Sequence, residues 1–402
     1  MLPLSGIKVL DFSQVFAGPL MAMMLADQGA EVIKVEPPEG DSTRHANPSF
    51  PNVTGMSCDF VSFNRNKRSI VVDITKSMSK TLTRRLCQWA DVMIINTRVG
   101  ARQRRSISYE DIAAINPALI YVSITGYGES GPDADLQGND VAIQARVGDT
   151  AGRRLPGGAM PAPTRLVHFD MASAMLGAYA VTLALRERDR TGLGQKIELN
   201  LLHTALACQM RLMTRLAGSN QEGRPILAGG MQTVYQCGDG RYIFATMGRE
   251  GGVRAVGGWD DFCAAVGLAE LATDERFDTP EKRSQRTGEL GRLLAAHFAT
   301  RAASEWESRL KSKGFGVSIL KDVLEVYEDP QVVANQMIVQ YQQPGIGSLS
   351  VVNVPFKLSG TAEEERLRLP VPYIGEHTLR ILEQLGFTQQ EIVDFQSAGV
   401  TG

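Results

Sequence analysis

The sequence is poor in the features that mark secreted, membrane-spanning and zinc-binding proteins. It has five cysteines in 402 residues, with no Cys-x-x-Cys pair, which argues against a disulfide framework or a cysteine zinc site. No apolar run reaches the length that spans a bilayer. The first residues enter a strand-like run without a charged leader, so we expect a cytoplasmic protein in a reducing compartment.

The chain also has little net charge. Its formal charge is −2, so no whole-molecule field would attract nucleic acid or an anionic membrane surface, and we expect neither as a partner. It contains neither a GxGxxG nor a Walker sequence between a strand and a helix, which leaves a nucleotide-dependent dehydrogenase as a distant alternative. The 43% hydrophobic content and the length predict two or three domains with sizeable cores.

Short β-type runs alternate with helical segments through the first half, which predicts an α/β fold with a parallel sheet covered by helices. The predicted strands cover 8–12, 31–36, 69–74, 91–96, 119–125 and 196–201, and the predicted helices cover 20–28, 80–89, 109–115, 170–188 and, near the C-terminus, 378–385. The pattern changes near residue 221. A hairpin over 235–244 with Asp239-Gly240 in its turn marks a second domain, followed by charged helical segments up to 313.

Asp170 is the strongest single candidate for chemistry, because an apolar run delivers it to the start of a long apolar helix. Backbone N–H groups at a helix start favour an ionised carboxylate and would stabilise an oxyanion formed beside it. These conditions suit a carboxylate nucleophile. The ordinary alternative is that Asp170 is only the N-cap of that helix.

Two basic clusters, 64–68 and 96–105, lie next to predicted strands. Ligands of open α/β sheets bind at the carboxyl ends of strands, and guanidinium groups there suit phosphates, so the clusters indicate an anionic cofactor. The alternative for each arginine is a solvated surface position.

Several motifs together resemble the class III coenzyme A transferases, which include formyl-CoA and carnitine CoA-transferases. The resemblance covers essentially the whole chain. Its strongest carriers are Leu4-Ser5-Gly6-Ile7-Lys8-Val9-Leu10-Asp11-Phe12 with Ala17-Gly18-Pro19, Gly29-Ala30-Glu31-Val32-Ile33-Lys34-Val35-Glu36, and Asn64-Arg65-Asn66-Lys67-Arg68-Ser69-Ile70. Weaker matches are Ile124-Thr125-Gly126-Tyr127-Gly128, Thr191-Gly192-Leu193-Gly194-Gln195 and Gly375-Glu376-His377-Thr378.

The resemblance implies a Rossmann-like large domain over 1–220, completed by 365–402, a small α+β domain over 221–330, and a linker over 331–364. It also implies an interlocked homodimer. It makes Asp170 the catalytic nucleophile and places the CoA site at Phe16, Ala17, Val72, Thr75, Asn96, Thr97, Arg98 and Arg104. Asn139, Asp140, Gly229 and Gly230 are the expected substrate contacts.

The chain departs from the family pattern at three places. The usual Asn-Phe-Arg-Pro-Gly loop is Asn96-Thr97-Arg98-Val99-Gly100, and the glycine-rich active-site loop is reduced to Ala228-Gly229-Gly230. Related α-methylacyl-CoA racemases have His-Asp where this chain has Asn139-Asp140, and asparagine cannot act as their base.

The expected reaction is reversible transfer of CoA from an acyl-CoA to a carboxylic acid, with intermediates on Asp170 and with no metal and no cofactor beyond CoA as substrate. Two alternatives remain at this point. One is an α-methylacyl-CoA racemase or isomerase, for which His168 is a possible base. The other is a non-catalytic subunit paired with an active relative.

Overall fold

The computed structural model describes residues 1–50, 53–153, 161–214, 234–246, 258–361 and 366–402. The chain divides into two compact units. The first comprises Met1–Ala151, Leu155–Gly223 and Gln336–Gly402, and the second comprises Gly152–Arg154 and Arg224–Asn335. Within the described ranges, no helix is both long enough and apolar enough to cross a bilayer.

The first unit is built on a six-stranded parallel sheet. Its strands are β1 (Lys8–Phe12), β2 (Glu31–Glu36), β3 (Lys67–Val71), β4 (Val92–Ile95), β5 (Ile120–Thr125) and β6 (Lys196–Asn200), in the order β3-β2-β1-β4-β5-β6. The predicted α/β class with a parallel sheet is confirmed. The chain runs outward from β1 to β3 and then crosses to β4 on the other side, so the strand order reverses between β1 and β4. This switch point is where open α/β sheets bind ligands.

Helices lie between and after these strands, and several of them cover the two faces of the sheet. They are α1 (Ala17–Asp27), α2 (Cys58–Phe63), α3 (Ser79–Trp89), α4 (Val99–Arg104), α5 (Tyr109–Ala113), α6 (Asp140–Arg146), α7 (Asp149–Gly152), α8 (His168–Thr191), α9 (Leu201–Cys208) and α10 (Met210–Met213). The longest of them, α8, ends at Gly192, whose φ of 73° is the left-handed C-cap conformation that glycine adopts most easily.

The second unit has its own core around an antiparallel sheet. Its described elements are β7 (Val234–Gln236), β8 (Tyr242–Thr246), α11 (Trp259–Val266), α12 (Pro280–Gln285), α13 (Thr287–Phe298), α14 (Ala303–Ser312), β9 (Gly316–Ile319), α15 (Val323–Val326) and α16 (Pro330–Ala334). The hairpin predicted over 235–244 is confirmed by antiparallel pairing of β7 with β8. Trp306 and Phe298 are fully buried in this core.

The interval 331–364 differs from the linker that the sequence predicts. It contains an antiparallel hairpin of β10 (Ile338–Gln343) and β11 (Gly347–Val352), which belongs to the first unit. Tyr341 and Leu349 of this hairpin pack against the buried Phe60. The strands alternate half-buried and exposed residues, a pattern that scattered Pro and Gly obscured in the sequence.

The chain ends with α17 (Thr378–Gln384) and α18 (Gln389–Ser397), which pack on one face of the parallel sheet. Leu10 and Phe12 of β1 face this layer together with Ile381 and Phe395. Val9 points to the opposite face, which α1 and α8 cover. Both faces are therefore buried, as expected for a parallel sheet.

Candidate active site

A pocket of about 310 Å³ lies at the carboxyl ends of β1, β4 and β5, at the switch point of the sheet. Three loops that follow these strands form much of its wall, and the starts of α6 and α8 complete it. The lining residues are Gln14, Val15, Phe16, Ala17, Asn96, Thr97, Arg98, Val99, Ile124, Thr125, Gly126, Ala134, Leu136, Gln137, Gly138, Asn139, Asp140, Val141, Val167, Asp170 and Leu201.

Asp170 lines this pocket as the third residue of α8, not as its N-cap, which is Val167. The cap is supplied from another helix. The backbone N–H groups of Phe169 and Asp170 donate to Asp140 Oδ2 at 2.6 and 3.0 Å. These two donors are therefore already satisfied, which corrects the expectation that the backbone beside Asp170 would hold an oxyanion.

The environment of Asp170 favours its protonated form. Burial and the neighbouring Asp140 carboxylate raise the pKa of Asp170 to about 7. A carboxyl group with this pKa is ionised to a useful extent at neutral pH and is a stronger base and nucleophile than an ordinary aspartate. Such a perturbed group in a pocket is typical of a catalytic residue.

Asp140 is itself held in place by a polar network that precedes α8. It is buried, and its Oδ1 accepts a hydrogen bond from the Gln144 side chain. Gln144 also accepts from the Thr164 N–H at 2.8 Å and donates to the Thr164 carbonyl at 3.0 Å. Asp140 and Gln144 thus fix the segment of chain that enters α8. The adjacent Asn139 caps α6 by accepting the N–H of Ala142 at 2.9 Å.

Asn96 joins the two loops on either side of the switch point. Its side chain accepts from the Gln14 N–H at 3.1 Å and donates to the Gln14 carbonyl at 2.7 Å. Arg102, a member of the second basic cluster, is buried and donates to the carbonyls of Thr97 and Ile124. Arg98, by contrast, lines the pocket and donates to Gln137 at 3.1 Å, so it supplies a positive charge there.

The pocket brings together Asp170 and seven other predicted site residues, namely Phe16, Ala17, Asn96, Thr97, Arg98, Asn139 and Asp140. Three predicted CoA contacts do not line it. Val72 is buried beyond β3, Thr75 is exposed and bonded to Asp73, and Arg104 is exposed on α4. Gly229 and Gly230 lie outside the described residues. The contacts of all these residues with CoA or substrate stay predictions.

The first basic cluster does not form a phosphate site, contrary to the expectation from its sequence. It lies at the amino end of β3, where Arg65 pairs with Asp27 at 2.7 Å and Lys67 pairs with Asp11 at 2.8 Å. Both cations are buried. The acidic partners stand inside otherwise apolar segments of the sequence, which is the signal that could have indicated buried pairs.

His168 is placed poorly for the racemase alternative. Its Nδ1 lies 3.2 Å from Thr164 Oγ1, its ring packs against Phe169, and it does not line the pocket. Asp170 does line the pocket, and a non-catalytic subunit would not need a carboxyl group there. Among the described residues, no cluster of His, Cys, Asp and Glu could hold a metal ion.

Two valines in the pocket wall have left-handed backbone conformations. Val15 has a φ of 74° and lies two residues before α1, and Val167 has a φ of 41° and immediately precedes α8. Such conformations are unfavourable for a β-branched residue and are found mainly where surrounding structure enforces them for function. Neither position is marked by glycine, so sequence patterns did not reveal them.

The chain is similar to known proteins over nearly its whole length. Residues 4–378 match the model of CoA-transferase family III. The chain is 33% identical to succinyl-CoA:glutarate CoA-transferase of Mus musculus over 96% of this chain and 87% of that protein. It is 31% identical to succinate–glutarate CoA-transferase of Agrobacterium fabrum, over 95% and 96% of the two chains. A crystal structure of a CAIB/BAIF family protein from Brucella suis superposes with a TM-score of 0.81 at 31% identity, covering 96% and 99%.

A pocket at the switch point with a carboxyl group of raised pKa is the arrangement expected of a catalytic site. The chain belongs to CoA-transferase family III and is a CoA-transferase.

Proposed function

We propose that the protein transfers CoA reversibly from an acyl-CoA to a carboxylic acid through covalent intermediates on Asp170. Asp170 attacks the carbonyl of the donor thioester, so that a mixed anhydride forms and CoA leaves as the thiolate. The thiolate then attacks the aspartyl carbonyl. This step releases the donor acid as a carboxylate and leaves CoA bound to Asp170 as a thioester.

The second half repeats these steps with the acceptor. The acceptor carboxylate attacks the aspartyl thioester, which gives a second anhydride and free CoA thiolate. Attack of the thiolate on the acceptor carbonyl forms the new acyl-CoA and regenerates Asp170. One thioester replaces another, so the sequence of steps requires neither ATP nor a metal. Each covalent intermediate can be hydrolysed, which favours a site that excludes water.

The observation that supports this proposal most directly is the position of Asp170. Its carboxyl group lines the pocket at the switch point, and its pKa is raised to about 7 by burial and by Asp140. A carboxylate that forms acyl intermediates needs access to substrate and basicity near neutral pH. Arg98 on the opposite loop provides a cation for an anionic group of CoA or of the acid.

The test is a transfer assay followed by chromatography of the acyl-CoA products. Relatives named for succinyl-CoA and glutarate make that pair the first to try, followed by other acyl-CoAs and acids. We expect acceptor-dependent formation of a new acyl-CoA by the wild type and its loss in Asp170→Asn. Asp189→Asn, on an exposed position of the same helix, is the matched control and should retain activity.

We also propose a homodimer of interlocked chains, as the family resemblance implies. Apolar side chains on the surface of α8 support it, because Met175, Leu176, Tyr179 and Leu183 are each at least 42% exposed and follow one another at helical spacing. Such a contiguous apolar stripe is typical of an interface. Light scattering after size-exclusion chromatography should give twice the chain mass, and a monomer would contradict the proposal.

A further inference from the structure

Residues 13–15 connect β1 to the pocket, and buried or half-buried side chains hold nearly every polar group of their backbone. The Ser13 N–H donates to Asp11 at 3.1 Å, and the Ser13 carbonyl accepts from Lys34 Nζ at 2.9 Å. The Val15 N–H donates to Asp41 at 3.3 Å. Asn96 binds both the N–H and the carbonyl of Gln14, as described above.

Three of these side chains belong to a buried group of charges. Lys34 Nζ lies 2.8 Å from Asp41 Oδ2 and 3.8 Å from Asp11 Oδ2, and Lys67 lies 2.8 Å from Asp11. All four side chains have no exposed surface, and none lines the pocket. Buried ion pairs contribute little net stability compared with apolar packing, so a role other than stability is expected of them.

The segment that they hold leads directly into the pocket wall. Val15 has its unfavourable φ of 74° here, and α1 starts two residues later. The backbone N–H groups of Phe16, Ala17 and Gly18 donate to no described residue, and Phe16 and Ala17 line the pocket that Asp170 also lines. Because Asp140 occupies the donors at the start of α8, the start of α1 is a set of helix-end amides at this pocket that remains available.

We propose that Lys34 and Asp41 are positioning residues of the transferase, which keep residues 13–15 in a strained conformation so that the first amides of α1 stand at the pocket wall. The inference rests on the proposed function. It assigns to this buried pair the task of placing donors for negative charge that develops on a thioester or anhydride oxygen. Fixed donors lower the barrier because they need not reorganise during the reaction.

The experiment compares Asp41→Ala with Asp27→Ala. Both variants remove a buried aspartate together with its ion pair, to Lys34 in the first case and to Arg65 in the second. Asp27 lies at the far end of α1 and makes no contact with residues 13–15. Hydrogen exchange of the peptide containing Ser13 to Val15, kcat, KM for acyl-CoA and Tm are measured for each.

For Asp41→Ala we expect exchange at residues 13–15 to rise about tenfold or more. We expect kcat to fall about tenfold to a hundredfold, well beyond the change in KM, because the amides lose their position. Asp27→Ala should lower Tm as well, while exchange at 13–15 and kcat stay close to the wild type. If Asp41→Ala does not fold, Asp41→Asn keeps the shape, removes the charge facing Lys34, and is judged by the same comparisons.

The proposal is overturned if the two variants lose activity in proportion to their loss of Tm. It is also overturned if exchange at 13–15 rises in the Asp41 variant without a fall in kcat, or if kcat falls while exchange is unchanged. A wild type that transfers CoA from no donor defeats the proposed function separately. In that case hydrogen exchange at residues 13–15 and the affinity for CoA are compared between Asp41→Ala and the wild type. If either quantity is unchanged, the inference is overturned.

Discussion

Asp140 caps the helix that carries Asp170, and its Oδ2 accepts the backbone N–H of Asp170 itself at 3.0 Å. One carboxylate thus fixes the position of the second and at the same time raises its pKa. Burial makes the larger contribution to the raised pKa, so Asp140 positions the candidate nucleophile and adds to its activation. This relationship joins residues that are thirty positions apart in the sequence.

Asp140→Asn separates these two effects. The amide oxygen can still accept the N–H groups of α8, but the negative charge that disfavours ionisation of Asp170 is gone. We expect the pKa of Asp170 to fall, so the acidic limb of the pH dependence of kcat/KM moves to lower pH. Asp140→Ala should instead lower kcat about tenfold to a hundredfold, since the helix start is no longer held. An unmoved limb in Asp140→Asn would show that Asp140 does not act on Asp170 electrostatically.

The raised pKa of Asp170 also predicts a dependence of stability on pH. Its folded pKa of about 7 exceeds the value of 3.8 of an ordinary aspartate, so the folded state binds the proton more tightly and loses stability as pH rises between these values. Asparagine does not ionise, so Asp170→Asn lacks this loss of stability. The free energy of unfolding of the variant relative to the wild type should increase by about 2 to 3 kcal/mol from pH 5 to pH 8. Urea unfolding at both pH values measures it, and a difference independent of pH would contradict the raised pKa.

Gly18 is required by the close approach of α1 to the loop before it. A Cβ at this position would lie 2.1 Å from Ser13 Oγ and 2.3 Å from Ser13 Cβ. Gly18→Ala should therefore destabilise the protein by about 1 to 3 kcal/mol and reduce activity. Ser13→Gly removes both clashing atoms, so the double variant should recover part of the lost Tm. If the loss of Tm in the double variant equals the sum of the losses in the two single variants, this contact is not the cause.

Removal of the Arg98 side chain and removal of the Arg65 side chain should have different effects on CoA affinity and on stability. Arg98 lines the pocket, whereas Arg65 is buried in its pair with Asp27. Arg98→Ala is expected to weaken CoA binding with little change in Tm. Arg65→Ala should lower stability by about 3 to 5 kcal/mol because it leaves Asp27 buried without its cation, while CoA affinity in the folded fraction is retained. Calorimetric titration with CoA and thermal unfolding distinguish the two effects, and a loss of CoA affinity in the Arg65 variant would return that cluster to the binding site.

His168→Ala tests the racemase alternative. Because His168 does not line the pocket, transferase activity should stay within about threefold of the wild type, a change expected of a residue outside the reacting groups. Incorporation of deuterium at the α-carbon of an acyl-CoA should be absent in both proteins. Rapid deuterium incorporation by the wild type that disappears in His168→Ala would instead indicate that His168 acts as a base.

The sequence predicted the sheet well because each strand carries β-branched or other apolar residues and is bounded by turn or loop residues. The strands predicted over 8–12 and 31–36 coincide with β1 and β2. The strand predicted over 69–74 starts two residues late, since Lys67 and Arg68 resemble loop residues although Lys67 is fully buried in an ion pair. Propensity and periodicity do not reveal a charge that is neutralised from a distant segment.

The site was predictable to the extent that it depends on the ends of strands. Asn96 and Arg98 were selected because they follow a predicted strand, and Asp170 because it stands at the start of a predicted helix. All three line the pocket. The capping of α8 by Asp140 and the left-handed Val15 were not foreseen. Both arise from contacts between segments far apart in the chain, and neither leaves a local pattern.

The most direct test of the central claim is peptide mass spectrometry of the protein mixed with acyl-CoA donors and treated with hydroxylamine or borohydride. We expect a trapped modification or a CoA adduct on the peptide containing Asp170, absent from Asp170→Asn and present in Asp189→Asn. Turnover of the acyl-CoA with no modification at Asp170, or with a modification on another residue, would contradict it.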